Sequence, residues 1–226
     1  MIGNNRVDEA LGQLLEITDK LKLIPEAVVT SIRNPEHFQI TEDVDNFDYV
    51  YSLDDLTNLR GQSYRGQRKK IHRFRDQFAD IYEVRDIDFS DPKTQERILE
   101  TFAWWASDRG RTHEDVSNEH QAIRRLLSNS SKLHLTGSEI FINNKAAGFS
   151  IHEILNGEYT VCHFHKTILK FVGIDVFLTI YAAKELSQRG YKLENWEQDL
   201  GIAGLRELKL SYKPTKMLKK YQIQRM

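Results

Sequence analysis

Between Leu133 and His165 the sequence changes period, and that change limits the fold more than any other feature. Apolar and polar residues alternate through three runs, Leu133 to Ile142, Ala146 to Leu155 and Glu158 to His165. Only Asn143-Asn144 and Asn156-Gly157 separate them, and both pairs suit tight turns with positive φ. The three runs therefore read as an antiparallel meander, and the rest of the chain has to supply helices and further strands around it.

The flanking segments read as follows. Val7 to Leu23 carries Leu11, Leu14, Leu15, Thr18 and Leu21 at helical spacing, with Pro25 as the stop. Ala27 to Ile32 reads as a short strand, and Asn34 opens an acidic loop or short helix that runs to Asp48. Phe47 to Tyr51 is β-rich, and Ser52 with Asp55 marks a helix start. Two helical pieces follow from Asp54 to Phe78, broken near Gly61. Tyr82 to Ile87 is a strand; Pro92 opens a helix through Trp104 and Trp105; another helix runs from Val116 to Leu127. After the meander come an apolar helix from Ile174 to Leu186, stopped at Arg189-Gly190, a strand to Glu197, a helix, and a last strand near Tyr221 to Ile223. The order is that of an α+β protein with a mixed sheet.

The 226 residues suffice for a substantial core, and a net charge of −1 provides no global field toward nucleic acid or anionic lipid. A single cysteine, Cys162, excludes an internal disulfide and fits a reducing cytoplasm. No apolar run is long enough to span a bilayer, so a soluble, cytoplasmic chain is expected, with peripheral contact at the inner membrane as the alternative.

Candidate chemistry falls in four places. From Asn195 to Pro214, Glu197 and Asp199 end a strand, Gly201 and Gly204 bracket a turn, and Arg206 and Lys209 follow on a helix with Leu205, Leu208 and Leu210. Such acids can bind an ammonium or take a proton, and such cations can hold phosphate or an oxyanion. The plainer alternative is that Asp199 caps the helix and Arg206 pairs with it. Tyr212 is a further candidate on this segment. In the second place, Arg65, Arg68, Lys69 and His72 would share one helix face opposite Ile71, Phe74 and Phe78. That face suits the phosphates of a polyanion, or else is a solvated face paired with the acids from Glu42 to Asp55. In the third place, strand alternation puts His163 and His165 on one face and Lys166 on the other, where a histidine could act as base and the lysine could hold a phosphate. Glu119 is the fourth, a candidate acid on the helix before the meander. Cys162 reads as a small hydrophobe in an apolar strand, and one of Trp104 and Trp105 must turn away from the core. No spacing resembles a closed zinc site.

The segment from Asn195 to Pro214 resembles the closing motif of an uncharacterised bacterial family related to the C-terminal domain of phosphatidylglycerol lysyltransferases. Three further blocks agree in order: Asp48 to Ser52 with Asp55, Leu56, Leu59, Gly61, Tyr64, Arg68, Ile71 and Phe74; Glu119 with Ala122 and Ile123; and Gly148 to Ser150 with His163 to Lys166. The resemblance implies a GNAT-like acyl-CoA N-acyltransferase fold, with a reduced or partial first half at 1–90 and a C-terminal GNAT-like domain at 91–226. It implies an acyltransferase that moves an aminoacyl group from aminoacyl-tRNA to a lipid headgroup or a peptide amine or hydroxyl, with no cofactor required. On this reading Glu197, Asp199, Arg206 and Lys209 form the site, and Lys166, Arg65, Arg68, Lys69 and His72 hold the donor's phosphates. The chain departs from the pattern at Gln67 to His72, and it is short for two full halves. GNAT enzymes that use acetyl-CoA hold its pyrophosphate on a glycine-rich turn at a helix N-terminus. Here Thr167 to Gly173 has one glycine and bulky Phe171 and Val172, which argues against that donor. Acetyl-CoA-dependent N-acetylation and a non-catalytic binding module are the alternatives.

Overall fold

The computed structural model describes residues 6–226. In chain order the elements are α1 (Val7–Leu14), β1 (Leu21–Pro25), α2 (Glu26–Val29), β2 (Phe38–Glu42), β3 (Asp48–Ser52), α3 (Leu53–Asn58), α4 (Arg65–Phe78), β4 (Tyr82–Asp86), α5 (Pro92–Asp108) and α6 (Ser117–Ser128). These lead into β5 (Leu135–Ile142), β6 (Lys145–Asn156), β7 (Tyr159–Thr167), α7 (Ile174–Gln188), β8 (Leu193–Asn195), α8 (Ala203–Ser211), β9 (Lys216–Leu218) and β10 (Lys220–Arg225).

The chain forms two compact units, one of residues 1–50 with 196–226 and the other of residues 51–195. The first five residues of the 1–90 segment lie outside the described residues. The compact units run across the 90/91 division suggested by the resemblance, since the first ninety residues contribute to both.

The unit made from the two ends of the chain contains a three-stranded antiparallel sheet in the order β1–β10–β2, so the last strand lies between two of the first. Val7, Leu11, Leu15, Phe38 and Ile223 form its buried core, with Leu21, Ile24, Val28, Val29 and Ile40 packed against them. Here the structure corrects three expectations. The helix from Val7 stops at Leu14, because Leu21 to Pro25 pairs with β10 instead of continuing the turn. Ala27 to Ile32 begins in a short helix, which turns Val28 and Val29 onto the α1 core. The acidic stretch after Asn34 contains β2, whose partner is also β10. In the same unit β3 pairs with β9 through Asp48 to Val50.

In the other unit the five strands run β4–β5–β6–β7–β8, antiparallel except for the short parallel β7/β8 pair. Asn143 and Asn144 both have positive φ in the β5/β6 turn, as their dipeptide requires. One face is covered by α4 and α7, where the Tyr82 ring meets Phe74 and Phe177. The other is covered by α5 and α6, where Arg97 pairs with the buried Glu139 of β5. Ser52 accepts a hydrogen bond from the Asp55 N–H and so caps α3. The chain leaves α3 through Leu59 and Gly61, both at positive φ, and this separates α3 from α4.

β7 and β8 pair only from Tyr159/Leu193 to Val161/Asn195. β7 then continues through Cys162 to Thr167 beyond the end of β8. No helix among the described residues is long and apolar enough to cross a membrane.

Candidate functional site

The segment after β8 does not continue as a strand. Glu197, Leu200 and Gly201 all adopt positive φ, so Trp196 to Ile202 is a tight loop, and Glu197 and Asp199 do not alternate along one strand face as expected. A Cβ on Gly201 would meet the Asp45 carboxylate at 2.9 Å, which explains the glycine. Asp199 is fully buried and accepts hydrogen bonds from both Nε and Nη2 of Arg206 at 2.8 Å, from the Gly201 N–H at 2.8 Å, and from the Tyr49 hydroxyl. Burial opposes the charge on Asp199, but these donors outweigh it and hold the carboxyl at about 2. Arg206 also donates to Asp45 at 2.7 Å. Asp199 therefore pairs with Arg206, as the plainer reading holds, yet its side chain closes the Gly201 turn and does not cap α8.

Lys209 is 7% exposed, whereas Leu208 and Leu210 are 44% and 46% exposed, so α8 turns its lysine inward and two leucines outward. The Lys209 ammonium donates to the carbonyls of Trp196, Glu197 and Gln198 at 2.6, 3.1 and 2.7 Å. All three of its donors are thus committed to the loop. Tyr212 is buried, with its ring edge-on to Trp196 at 5.0 Å.

In the unit of residues 51–195, Lys166 and Glu119 come together, with the ammonium donating to the carboxylate at 2.6 Å. Lys166 also lies 4.0 Å above the Trp105 ring, and the guanidinium groups of Arg109 and Arg111 lie over that ring at 5.5 and 5.9 Å. Burial lowers the Lys166 pKa; Glu119 opposes the shift, and Arg109 and Arg111 add to it. Trp105 is buried, while the partly buried Trp104 lies beneath Lys145 and Lys170 at 4.0 and 4.9 Å. Beside this group, between the end of β7 and the start of α7, is a cavity of about 210 Å³. Lys70, Arg109, Thr167, Gly173 and Asp175 are among its walls. The first turn of a 15-residue helix and two cations favour an anion here, and the Asp175 carboxylate in that turn opposes one. Gly173 is needed for another reason: at φ 90 a Cβ there would lie 2.4 Å from the Lys70 carbonyl oxygen.

On α4, Arg65, Lys69 and His72 are exposed, opposite the buried Ile71 and Phe74. Arg65, Lys69, Lys70 and Arg73 make no ion pair or side-chain hydrogen bond among the described residues. Of the acids expected to pair with this segment, Asp54 meets Arg60, ahead of α4, at 3.4 Å. Arg68 is diverted from the basic face. Its guanidinium donates to the carbonyls of Leu59 and Gly61, which the left-handed end of α3 leaves without a helical partner.

The histidines do not behave as a pair. A bulge in the β6/β7 ladder, where the register skips His163, changes the alternation. His163 reaches Glu153 at 2.8 Å, whereas His165 lies opposite Ser150. Burial pushes the His165 pKa down to about 4; Asp175 and Glu194 oppose this, and His152 and Lys166 reinforce it. Sequence reasoning missed His152, which is buried and bonded to the buried Glu194 at 2.6 Å. The available signal was a histidine and an acid interrupting otherwise apolar β-runs.

The family model described as phosphatidylglycerol lysyltransferase, C-terminal, matches residues 2–224. Among solved structures, a conserved protein of unknown function from Bacteroides thetaiotaomicron is 30% identical, with TM-score 0.83, covering 96% of this chain and 75% of its own. The C-terminal domain of a candidate lysylphosphatidylglycerol synthetase from Agrobacterium fabrum has TM-score 0.69 at 12% identity, covering 98% and 72%. A tandem GNAT protein from the clavulanic acid biosynthesis pathway has TM-score 0.51 at 8% identity, covering 96% and 70%. The last two likenesses concern the fold, which is GNAT-like as the resemblance implied. A comparison with curated proteins finds no match. By the near-complete family match, the chain belongs to the phosphatidylglycerol lysyltransferase C-terminal family.

Proposed function

We propose that this GNAT-like acyltransferase-family chain moves an aminoacyl group from aminoacyl-tRNA to an amine or hydroxyl acceptor. The observation that carries the reading is the α4 basic face. Arg65, Lys69 and Arg73 stand without ion-pair partners among the described residues along about 12 Å of helix, and Lys70 continues from them into the cavity at the start of α7. A run of cations without acidic partners suits a succession of phosphates better than a single pyrophosphate. Lys166, Arg109 and Arg111 would hold the donor end, with Glu119 as the acid beside it.

Of the acceptors, a lipid headgroup fits better than a peptide. Leu200, Ile202, Leu208 and Leu210 are all exposed on or next to the Asp199–Arg206 loop, an apolar surface suited to contact with lipid. Glu197, Asp199, Arg206, Lys209 and Tyr212 enter this proposal as the frame of the loop that carries this apolar surface. Asp199, Arg206 and Lys209 are already engaged with one another or with the loop. The derivation of residues 1–90 from a reduced GNAT-like half belongs to the same proposal. A CoA ester is the second reading, favoured by the cavity at the N-terminus of α7. It is weakened because packing against Lys70 already accounts for the loop's glycine.

The test is transfer of radiolabel from bulk aminoacylated tRNA to vesicles of anionic phospholipid, with the combined Arg65→Ala, Lys69→Ala and Arg73→Ala variant beside the wild type. The expected result is label in the organic phase, falling steeply with salt and weakened in the variant. Absence of both tRNA binding and transfer, together with thermal stabilisation by CoA, would overturn it in favour of the second reading.

A further inference from the structure

The β6/β7/β8 ladder holds a group of titratable side chains that the donor reading does not use. His152 and Cys162 stand directly opposite one another in the β6/β7 register, and Glu194 lies beside them from β8, opposite Thr160. His152 is 3% exposed, and its Nδ1 is bound to the Glu194 carboxylate at 2.6 Å. Glu194 is itself buried, so it fixes the ring's orientation. The other ring nitrogen, Nε2, is buried with no hydrogen-bond partner among the described residues. Ser150, two residues away on the same strand, also has an unpartnered buried hydroxyl. Cys162 differs from these groups in being half-buried, and it is the first residue of β7 beyond the last β7/β8 pair. Its thiol is 3.9 Å from the Phe164 carbonyl oxygen, a weak contact.

The arrangement of a buried carboxylate, a ring it orients, and an accessible thiol is the one that activates a nucleophile. From it we propose that Cys162 is a nucleophile activated by His152, with Glu194 as the positioning residue, and that it accepts activated acyl groups from esters or thioesters. The substrate class rests on the acyl-transfer reading; the reactivity of the thiol does not. Burial disfavours a charged His152, but Cys162 and Glu194 outweigh it and raise the ring to about 10. The other groups toward this cluster are His165 from β7, Asp175 from α7 and Lys166. In this proposal the resting proton is on the imidazole and the sulfur is left as the thiolate.

In the first step the thiolate attacks the acyl carbonyl carbon. A C–S bond forms, the bond to the leaving oxygen or sulfur breaks, and that atom takes the His152 proton and departs as the alcohol or thiol. In the second step an acceptor amine or hydroxyl attacks the thioester carbonyl and gives its proton to His152. The C–S bond breaks, and the thiolate–imidazolium pair is restored. No oxidant or reductant is involved.

Cys162 is the chain's only cysteine, so alkylation of the whole protein by iodoacetamide reports on it alone. Followed by intact mass against pH, the wild type should alkylate with a midpoint at least about one unit below the ordinary thiol value of roughly 8.5. Glu194→Gln and His152→Asn should move the midpoint back toward that value, with melting curves run alongside. The p-nitrophenyl ester of alanine should leave a single alanyl adduct on the wild type and none on Cys162→Ala. A wild-type midpoint near the ordinary value, an unreactive thiol, or an adduct that survives Cys162→Ala overturns the proposal. The wild-type midpoint requires no variant to fold. Adduct formation without any transfer from tRNA would leave the thiol chemistry standing and sink the donor reading. Transfer from tRNA retained in full by Cys162→Ala would do the reverse.

Discussion

Asp199, in the loop after β8, and His152, within β6, are both buried ionisable groups, and their surroundings differ in how fully they are hydrogen-bonded. Around Asp199 donors and acceptors balance: Arg206, Tyr49 and Gly201 satisfy the carboxylate, and Lys209 spends all three protons on loop carbonyls. Around His152 they do not: its Nε2, the Ser150 hydroxyl and His165 Nε2 are left over. A closed network resists change and holds a loop in place, whereas leftover buried groups cost stability unless they have work to do. The motif most legible in the sequence is thus the better candidate for scaffold, and the one that escaped notice is the better candidate for chemistry.

That contrast can be broken most forcefully at Arg206. Arg206→Ala leaves the Asp199 carboxylate buried without its main partner, and unfolding in urea should show a loss of about 3–5 kcal/mol. A fully stable Arg206→Ala protein would refute the scaffold reading. His165 comes next. Its folded pKa of about 4 lies below the ordinary value of 6.5, so the unfolded chain binds the proton first as pH falls. Stability present above 6.5 should decline toward pH 4 by about 3 kcal/mol, and His165→Asn should flatten the decline. His152 acts in the opposite direction: with its pKa raised to about 10, its contribution is full below 6.5 and is lost as pH rises toward 10. Lys209→Met, which leaves three carbonyls without a donor, should cost about 2 kcal/mol by thermal melting. Smallest of all, Lys69→Ala on the open face of α4 should change stability by less than about 0.5 kcal/mol while lowering the salt dependence of tRNA binding.

What the sequence made legible was local. The Ser52 cap, the break at Gly61, Pro92 at a helix start, and the Asn143–Asn144 turn each follow from one or two residues and their own backbone chemistry. What stayed hidden depended on partners far along the chain. Leu21 to Pro25 and Phe38 to Glu42 are strands only because β10 lies between them, and the helical spacing of the first misled for that reason. His163 and His165 part company because of a one-residue bulge, which no alternation pattern reveals. Glu197 leaves the strand path because the loop needs a left-handed backbone there. The inward turn of Lys209 follows from three loop carbonyls, which helical spacing alone does not reveal.

The β1–β10–β2 order has a consequence for how the protein is made. Both early strands emerge from the ribosome long before the strand that pairs with them, and at typical synthesis rates the wait is on the order of ten seconds. During that interval their edges lack β10, and the α1 core has Val28, Val29 and Phe38 but not Ile223, while residues 51–195 can already fold. Premature termination before Lys220 would therefore leave β1 and β2 without the strand that pairs with both, a half-folded, aggregation-prone product and not merely a shortened one.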